Sequence, residues 1–246
     1  MNDKYEILKK EVKKVHEIIK EIAQKNKVVD DIFSGTQIMF SHIEKIDKFK
    51  PTILLLGINP RWGYFQENNE IVEKFNKLSE LDYINAEYKL AKNIKNFFVD
   101  ICKMEDLFKS NVIKSNFFYF ATKNFEKFKT LKNEILKYDE FNSIAQQILM
   151  RNEDNFLYCL AKRWTKMLIE DIIKPDIIIC EGSIVLSFLE SSYQYDDCDF
   201  KIKFNPKYII TLKRNFSNIT YEEKKMKCEE LKKLLNNLNQ PQYSNK

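Results

Sequence analysis

Apolar residues fall at Leu8, Val12, Val15, Ile19 and Ile22, three or four apart, the spacing that gathers them on one face of a helix over residues 5–23. A second helical stretch is expected over residues 30–48. Pro51 ends it, and the pattern changes. Residues 52–57, TILLLG, are an apolar run bounded by Pro and Gly, which suits a short parallel strand covered on both faces. After Asn59 and Pro60 a loop holds Arg61, Trp62, Gly63, Tyr64 and Phe65, and a long helical region is expected over residues 69–107. Residues 116–122, NFFYFAT, read as a second strand, because aromatic residues favour sheets. Helices are expected over 125–137 and 154–173. Pro175 closes the latter, and 176–180, DIIIC, reads as a third buried strand. Gly182 and Ser183 open a short helix to residue 189. A fourth strand over 208–212 leads into KRNFSN, and Thr220 with Glu223 matches the capping box of a last helix ending near residue 238.

Short apolar strands alternating with helices predict an α/β fold, a three-layer α/β/α sandwich around a mainly parallel four-stranded sheet, with helices preceding it. The expected division is an N-terminal helical extension over residues 1–48, the α/β/α domain over 49–238 and a flexible tail over 239–246. The extension is expected either to pack against the sheet or to bind a partner. Sites in such sheets form beyond the C-terminal ends of the strands. Three segments are expected there: GINPRWGYF after the first strand, TKN after the second and LKRNFS after the fourth.

Composition narrows the chemistry. A chain of 246 residues, 44% hydrophobic, is long enough for one α/β domain with a sizeable core. It has 2 His, His16 and His42, both upstream of the segments above, which argues against His-based metal sites and catalytic triads. The five cysteines, Cys102, Cys159, Cys180, Cys198 and Cys228, include no C-x-x-C pair, so reduced thiols in a cytoplasmic protein are expected. No apolar run approaches the roughly 18 residues of a membrane helix, and the N-terminus lacks a signal-peptide pattern. A soluble, intracellular monomer that touches no membrane is expected. The net charge of +5 is compatible with a polyanionic partner and far from diagnostic. Lys162, Arg163 and Lys166 read as a solvated helix face. Neither phosphate-loop glycine pattern is present, which argues against P-loop and dinucleotide-binding enzymes.

Read from the residues alone, Gly57-Ile58-Asn59-Pro60 is a tight turn at the end of a buried strand. Asn59 there either caps its own backbone, as turn asparagines do, or projects into the crevice. A second Asn-centred turn, Asn215-Phe216-Ser217, leaves the fourth strand. Between them stand Trp62, Tyr64 and Phe65, with Arg61, Lys213 and Arg214. Aromatics that stack on bases, cations that hold phosphates and amides that read base edges are ingredients of nucleotide recognition. The alternative for the aromatics is core packing.

TILLLGINP resembles the first active-site motif of the uracil-DNA glycosylase superfamily, in the G-I-N-P form of its thymine/mismatch-specific branch. IKPDIIICEGS, residues 173–183, is similar to the third-strand segment of that superfamily. YIITLKRNFS is similar to its last motif, with Asn215-Phe216-Ser217 in the place of H-P-S. The order and spacing agree across about residues 50–220.

The resemblance implies a monofunctional DNA glycosylase that flips uracil or a modified pyrimidine out of DNA and hydrolyses its N-glycosidic bond. It would leave an abasic site, with no metal or cofactor. It assigns Asn59 to orienting the attacking water and Asn215 to donating to the pyrimidine O2, with Ser217 beside a phosphate. Gly57, Ile58, Pro60, Arg61, Tyr64, Phe65, Thr122, Lys123, Asn124, Lys213 and Arg214 would line the base and DNA site. The chain departs from the family at Arg61, where Gly or Tyr is frequent, and at the missing motif His. It departs also at the second strand's end, where Thr122, Lys123 and Asn124 stand in place of an evident base-reading Asn, and in lacking the iron-sulfur cysteines of some members. The partner would be duplex or single-stranded DNA, in repair or in defence against modified DNA. A catalytically inactive nucleic-acid-binding module and a nucleotide or nucleoside hydrolase are the alternatives.

Overall fold

The computed structural model describes residues 3–39, 46–58, 89–150, 155–192, 198 and 200–239. Four parallel strands form its sheet: β1 (Ile53–Gly57), β2 (Val112–Asn116), β3 (Ile177–Glu181) and β4 (Ile209–Leu212), in the spatial order β2-β1-β3-β4. Parallel strands need crossovers, and the apolar runs of β1 and β3 are buried because helices cover both faces. Leu54, Leu55 and Leu56 are fully buried, each contributing roughly 1.5–3 kcal/mol of transfer free energy.

One face, carrying Leu54, Leu56, Ile113, Ile178 and Cys180, packs in one core with α1 (Asp3–Lys25), α5 (Phe125–Ile135), α6 (Asp139–Leu149), α7 (Phe156–Met167) and α8 (Ser183–Leu189). Ahead of β1 stands the short α2 (Lys27–Ile32), capped by Asn26, whose Oδ1 accepts from Val28 N at 2.9 Å. The other face, carrying Ile53, Leu55, Val112, Ile177, Ile179, Ile210 and Leu212, packs on α3 (Lys89–Lys95) with the π-helical turn Asn96–Ile101, on α4 (Glu105–Asn111), and on α9 (Tyr221–Asn239). The predicted three-layer α/β/α architecture is therefore the architecture of the molecule.

Helix α1 follows its sequence pattern, burying Leu8, Val12, Val15, Ile19 and Ile22. It is also tied to α7 by Glu11, which accepts from Arg163 Nη2 at 2.8 Å and from Trp164 Nε1 at 2.9 Å. The basic run is consequently not a solvated face. Lys162 is fully buried, with Nζ 2.7 Å from Ser191 Oγ, and Lys166 pairs with Glu170. Helix α7 carries on as a π-helical segment, Leu168–Ile173, and ends at Lys174 in the left-handed region ahead of Pro175.

Several expected boundaries shift. The helix expected over 30–48 stops at Ile32; Gly35 follows at φ 120°, residues 33–39 are not helical, and residues 40–45 of that expectation lie outside the described residues. Within 33–39 Gln37 N donates to Tyr119 O, and Ser34 N to Ala121 O. The expected helix over 69–107 is described from residue 89. It breaks at Lys103, which has φ 60°, and resumes as α4, which runs straight into β2. The second strand therefore lies four residues earlier than the aromatic run suggested. Residues 117–121 follow it outside the strand, with Phe117 N donating to Gly57 O and Phe118 N to Ile58 O. Helix α6 was not anticipated, although Phe141, Ala145 and Leu149 mark its buried face at a spacing of four.

The thiols also depart from expectation. Cys102 pairs with Cys228 and Cys159 with Cys198 as disulfides, each with Cα–Cα 5.5 Å, because packing brings distant segments together. Cys180 remains a free thiol, buried, its pKa pushed up to about 12 by desolvation. Among the described residues, no helix is long and apolar enough to cross a membrane.

Candidate active site

The chain leaving β1 returns as β2 on one side, and that leaving β3 returns as β4 on the other. The switch point of the sheet thus lies between β1 and β3, where ligands bind in open α/β sheets. Gly57 pairs in register with Asn116, Leu56 with Cys180 and Glu181 with Leu212, so the last residues of all four strands form one row at this edge.

On the face shared with α3 and α9 the row is polar. Side chains alternate along a strand, so Lys114 and Asn116 of β2 stand on the same face as Glu181 of β3. Lys114 Nζ lies 3.0 Å from Glu181 Oε2, donates to Ser115 O at 2.9 Å and is 3.4 Å from Asn116 Oδ1. Both side chains are only 4% exposed. Their strands are not neighbours, and the pair spans β1 directly over Gly57. A Cβ on Gly57 would stand 2.8 Å from Lys114 Nζ and 2.9 Å from Glu181 Oε2, and in hard contact with Asn116 Oδ1. Glycine is required here by close approach.

The polarity of this cluster follows from chemistry. A lysine ammonium only donates, so the oxygen of Asn116 faces Lys114, and its NH₂ is the group turned elsewhere. Glu181 spends Oε2 on Lys114, while its buried Oε1 has no hydrogen-bond partner among the described residues. Gly182, with φ 113°, then turns the chain out of the strand, and no described atom lies within 4 Å of where its Cβ would be.

Of the residues expected to form the site, Gly57 is at this edge, and Ile58 follows it half-buried, its carbonyl accepting from Phe118 N at 2.8 Å. Asn59, Pro60, Arg61, Trp62, Tyr64 and Phe65 lie outside the described residues. Lys213 and Arg214 are exposed where β4 ends, and Lys213 N donates to Glu223 Oε1 at 3.0 Å. Thr220 Oγ1 accepts from Glu223 N, so Thr220 caps α9 as its sequence suggested. Asn215 is half-buried; its Oδ1 accepts from Ser217 N at 3.1 Å, which leaves its Nδ2 as the donor end of the amide. Phe216 packs in the core against Phe97, ring centroids 5.0 Å apart.

Thr122, Lys123 and Asn124 do not stand at the strand ends. Asn124 is the N-cap of α5, accepting from Lys127 N at 2.9 Å, and Thr122 Oγ1 donates to Asn124 O. The residue that does end β2 is Asn116, immediately before the aromatic run of residues 117–120 and at the start rather than the end of the strand expected over 116–122. Lys114, Asn116 and Glu181 were missed for one reason. Apolar and aromatic runs alone do not extend to them, whereas K-S-N and C-E at the ends of the strands mark a polar row.

His16 is structural: buried among the helices, it places Nδ1 2.8 Å from Thr36 Oγ1, and burial with nearby Lys20 lowers its pKa to about 4. Among the described residues, no three His, Cys, Asp or Glu side chains converge as metal ligands. A cavity of about 480 Å³ opens at the opposite end of the sheet, between Asp176, Ile178, Lys203, Tyr208 and Ile209, away from the polar row. No family model matches the chain, and no curated protein matches it.

Proposed function

We propose that this chain is a monofunctional DNA glycosylase that hydrolyses the N-glycosidic bond of an extrahelical uracil or modified pyrimidine. One observation carries the reading. The segments that resemble glycosylase motifs leave adjacent strands at one edge, and β2 ends there in Asn116, an amide at the position where the family reads the base. In this reading Asn116 would take the base-reading role that Thr122, Lys123 and Asn124 do not fill.

In this reading Asn59 orients a water toward C1′ of the deoxyribose. The water oxygen bonds to C1′ as the C1′–N bond breaks, and the bonding electrons leave with the base. The water's proton is lost to solvent and the departing base takes one up, giving an abasic site and a free base. An amide at position 59 is no strong base, so the reaction leans on stabilising the leaving group. Asn215 is suited to that as a neutral donor, since its turn already fixes the oxygen toward Ser217 N and leaves Nδ2 to face a carbonyl such as O2. Lys213 and Arg214, exposed cations beyond β4, would meet phosphates in this reading. Repair or defence against modified DNA is the corresponding role.

Oligonucleotides carrying uracil and a panel of modified pyrimidines, incubated with the protein and then treated with alkali, test the reading. Strand cleavage that Asn59→Ala abolishes supports it. No base release by the wild type across the panel, with specific DNA binding retained, would instead assign the chain to a binding module on this fold.

A further inference from the structure

We infer that Glu181 is a specificity-determining residue of this site, its Oε1 accepting a hydrogen bond from a ring N–H that stands next to a carbonyl in the bound base. The inference rests on the glycosylase reading for its substrate and on the strand-end geometry for its chemistry. An asparagine alone reads a carbonyl and a neighbouring N–H by offering one donor and one acceptor. Asn116 is not free to do so, because its Oδ1 is turned to Lys114 Nζ, 3.4 Å away, and only its NH₂ is available. The acceptor must come from elsewhere, and Glu181 stands in the same row with a buried Oε1 that no described group satisfies. A buried polar atom left without a partner is destabilising, and a ligand donor removes that penalty.

The same geometry explains why a carboxylate is tolerated beside a base that departs with its electrons. Lys114, 3.0 Å from Oε2, neutralises the charge, so the pair as a whole sets no net negative charge against the leaving group. Gly57 leaves the space over β1 in which these three side chains converge. A base bound against this row would then be a pyrimidine of the imide type, with the ring N–H on Glu181 and the adjacent carbonyl on Asn116. A ring nitrogen that is methylated, or that is itself an acceptor as in cytosine, is rejected, because two acceptors would face each other.

The test is equilibrium binding of free uracil, 3-methyluracil and cytosine to the full-length protein, followed by the same series on Glu181→Gln. Wild type should bind uracil at least about ten-fold more tightly than either of the others, the margin expected for a hydrogen bond to a charged group. In Glu181→Gln the preference for uracil over 3-methyluracil should disappear. Equal affinity of the wild type for uracil and 3-methyluracil, or no binding of either at millimolar concentration, overturns the inference, and neither result depends on the variant folding. Base release from oligonucleotides is measured in parallel. Discrimination between the free bases without any release removes the glycosylase reading and keeps Glu181 as a base reader, whereas release without discrimination does the reverse.

Discussion

Lys114 of β2 and Glu181 of β3 form a buried ion pair of 3.0 Å although β1 runs between their strands. The contact exists because position 57 has no side chain, so the stability of the sheet edge and the shape of the site depend on one glycine. Gly57→Ala forces a methyl group against three polar atoms, and a loss of about 2–3 kcal/mol in urea denaturation is expected. Lys114→Met removes one partner and strands a buried carboxylate, with an expected loss of about 3–5 kcal/mol. Lys114→Met combined with Glu181→Leu removes both charges and should be less destabilised than Lys114→Met alone. A double variant at least as unstable as the sum of the singles would show that the pair is not coupled.

His16 gives a pH dependence of defined sign. Its pKa of about 4 in the folded chain, against 6.5 ordinarily, arises first from burial and then from Lys20. Above pH 6.5 the ring is neutral in both states and leaves stability untouched. As the pH falls from 6.5 to about 4, the unfolded chain takes up a proton that the folded chain refuses, and stability declines by up to roughly 3 kcal/mol. Denaturation curves between pH 7 and pH 4 should therefore show a steeper decline for the wild type than for His16→Gln. Parallel curves would place the imidazole in a solvated environment.

How far these features were legible in the sequence differs from element to element. TILLLG and DIIIC declared themselves, because a run buried on both faces needs nothing but apolar residues, and their edge followed from the fold class. VIKSN did not. Its Lys114 and Asn116 are buried by pairing across the sheet, a tertiary relationship that no local pattern encodes, while the neighbouring FFYF had the stronger local preference for strand. Lys162 misled in the same way: on local grounds a Lys-Arg pair in a helix is solvated, yet this lysine is buried against Ser191 and Cys198. The Asn215 turn was legible, since the Asx geometry is local, and it takes the form a turn asparagine adopts with or without a catalytic role.

The cysteines carry a third prediction. Cys102 and Cys228 are 126 residues apart, so their disulfide closes a long loop of the unfolded chain, while Cys180 alone stays a thiol. Alkylation of urea-unfolded, unreduced protein should label one cysteine, and mass mapping should find the label on Cys180. Prior reduction should lower stability by about 2–4 kcal/mol per disulfide. Labelling of all five cysteines without reductant would remove both bridges from the account.

Lys213 and Arg214 lie exposed beyond β4, immediately before the Asn215 turn, so under the proposed glycosylase function a DNA backbone that brings a nucleotide to that turn would pass them. Each phosphate contact with duplex DNA displaces condensed counterions and adds about 0.9 to the slope of log affinity against log salt. Replacing both residues by alanine should therefore flatten the slope by up to about 1.8 and weaken duplex binding with little dependence on sequence. Fluorescence anisotropy between about 50 and 200 mM salt reads the difference directly. Asn215→Ala should leave that slope unchanged while lowering the rate of base release by on the order of 100-fold, the loss expected when one donor to a developing anion is removed. The two variants thus separate holding the backbone from assisting the departing base. If Asn215→Ala changed the salt slope and not the rate, Asn215 would belong with the phosphate contacts, and the leaving group would have to be stabilised by another residue.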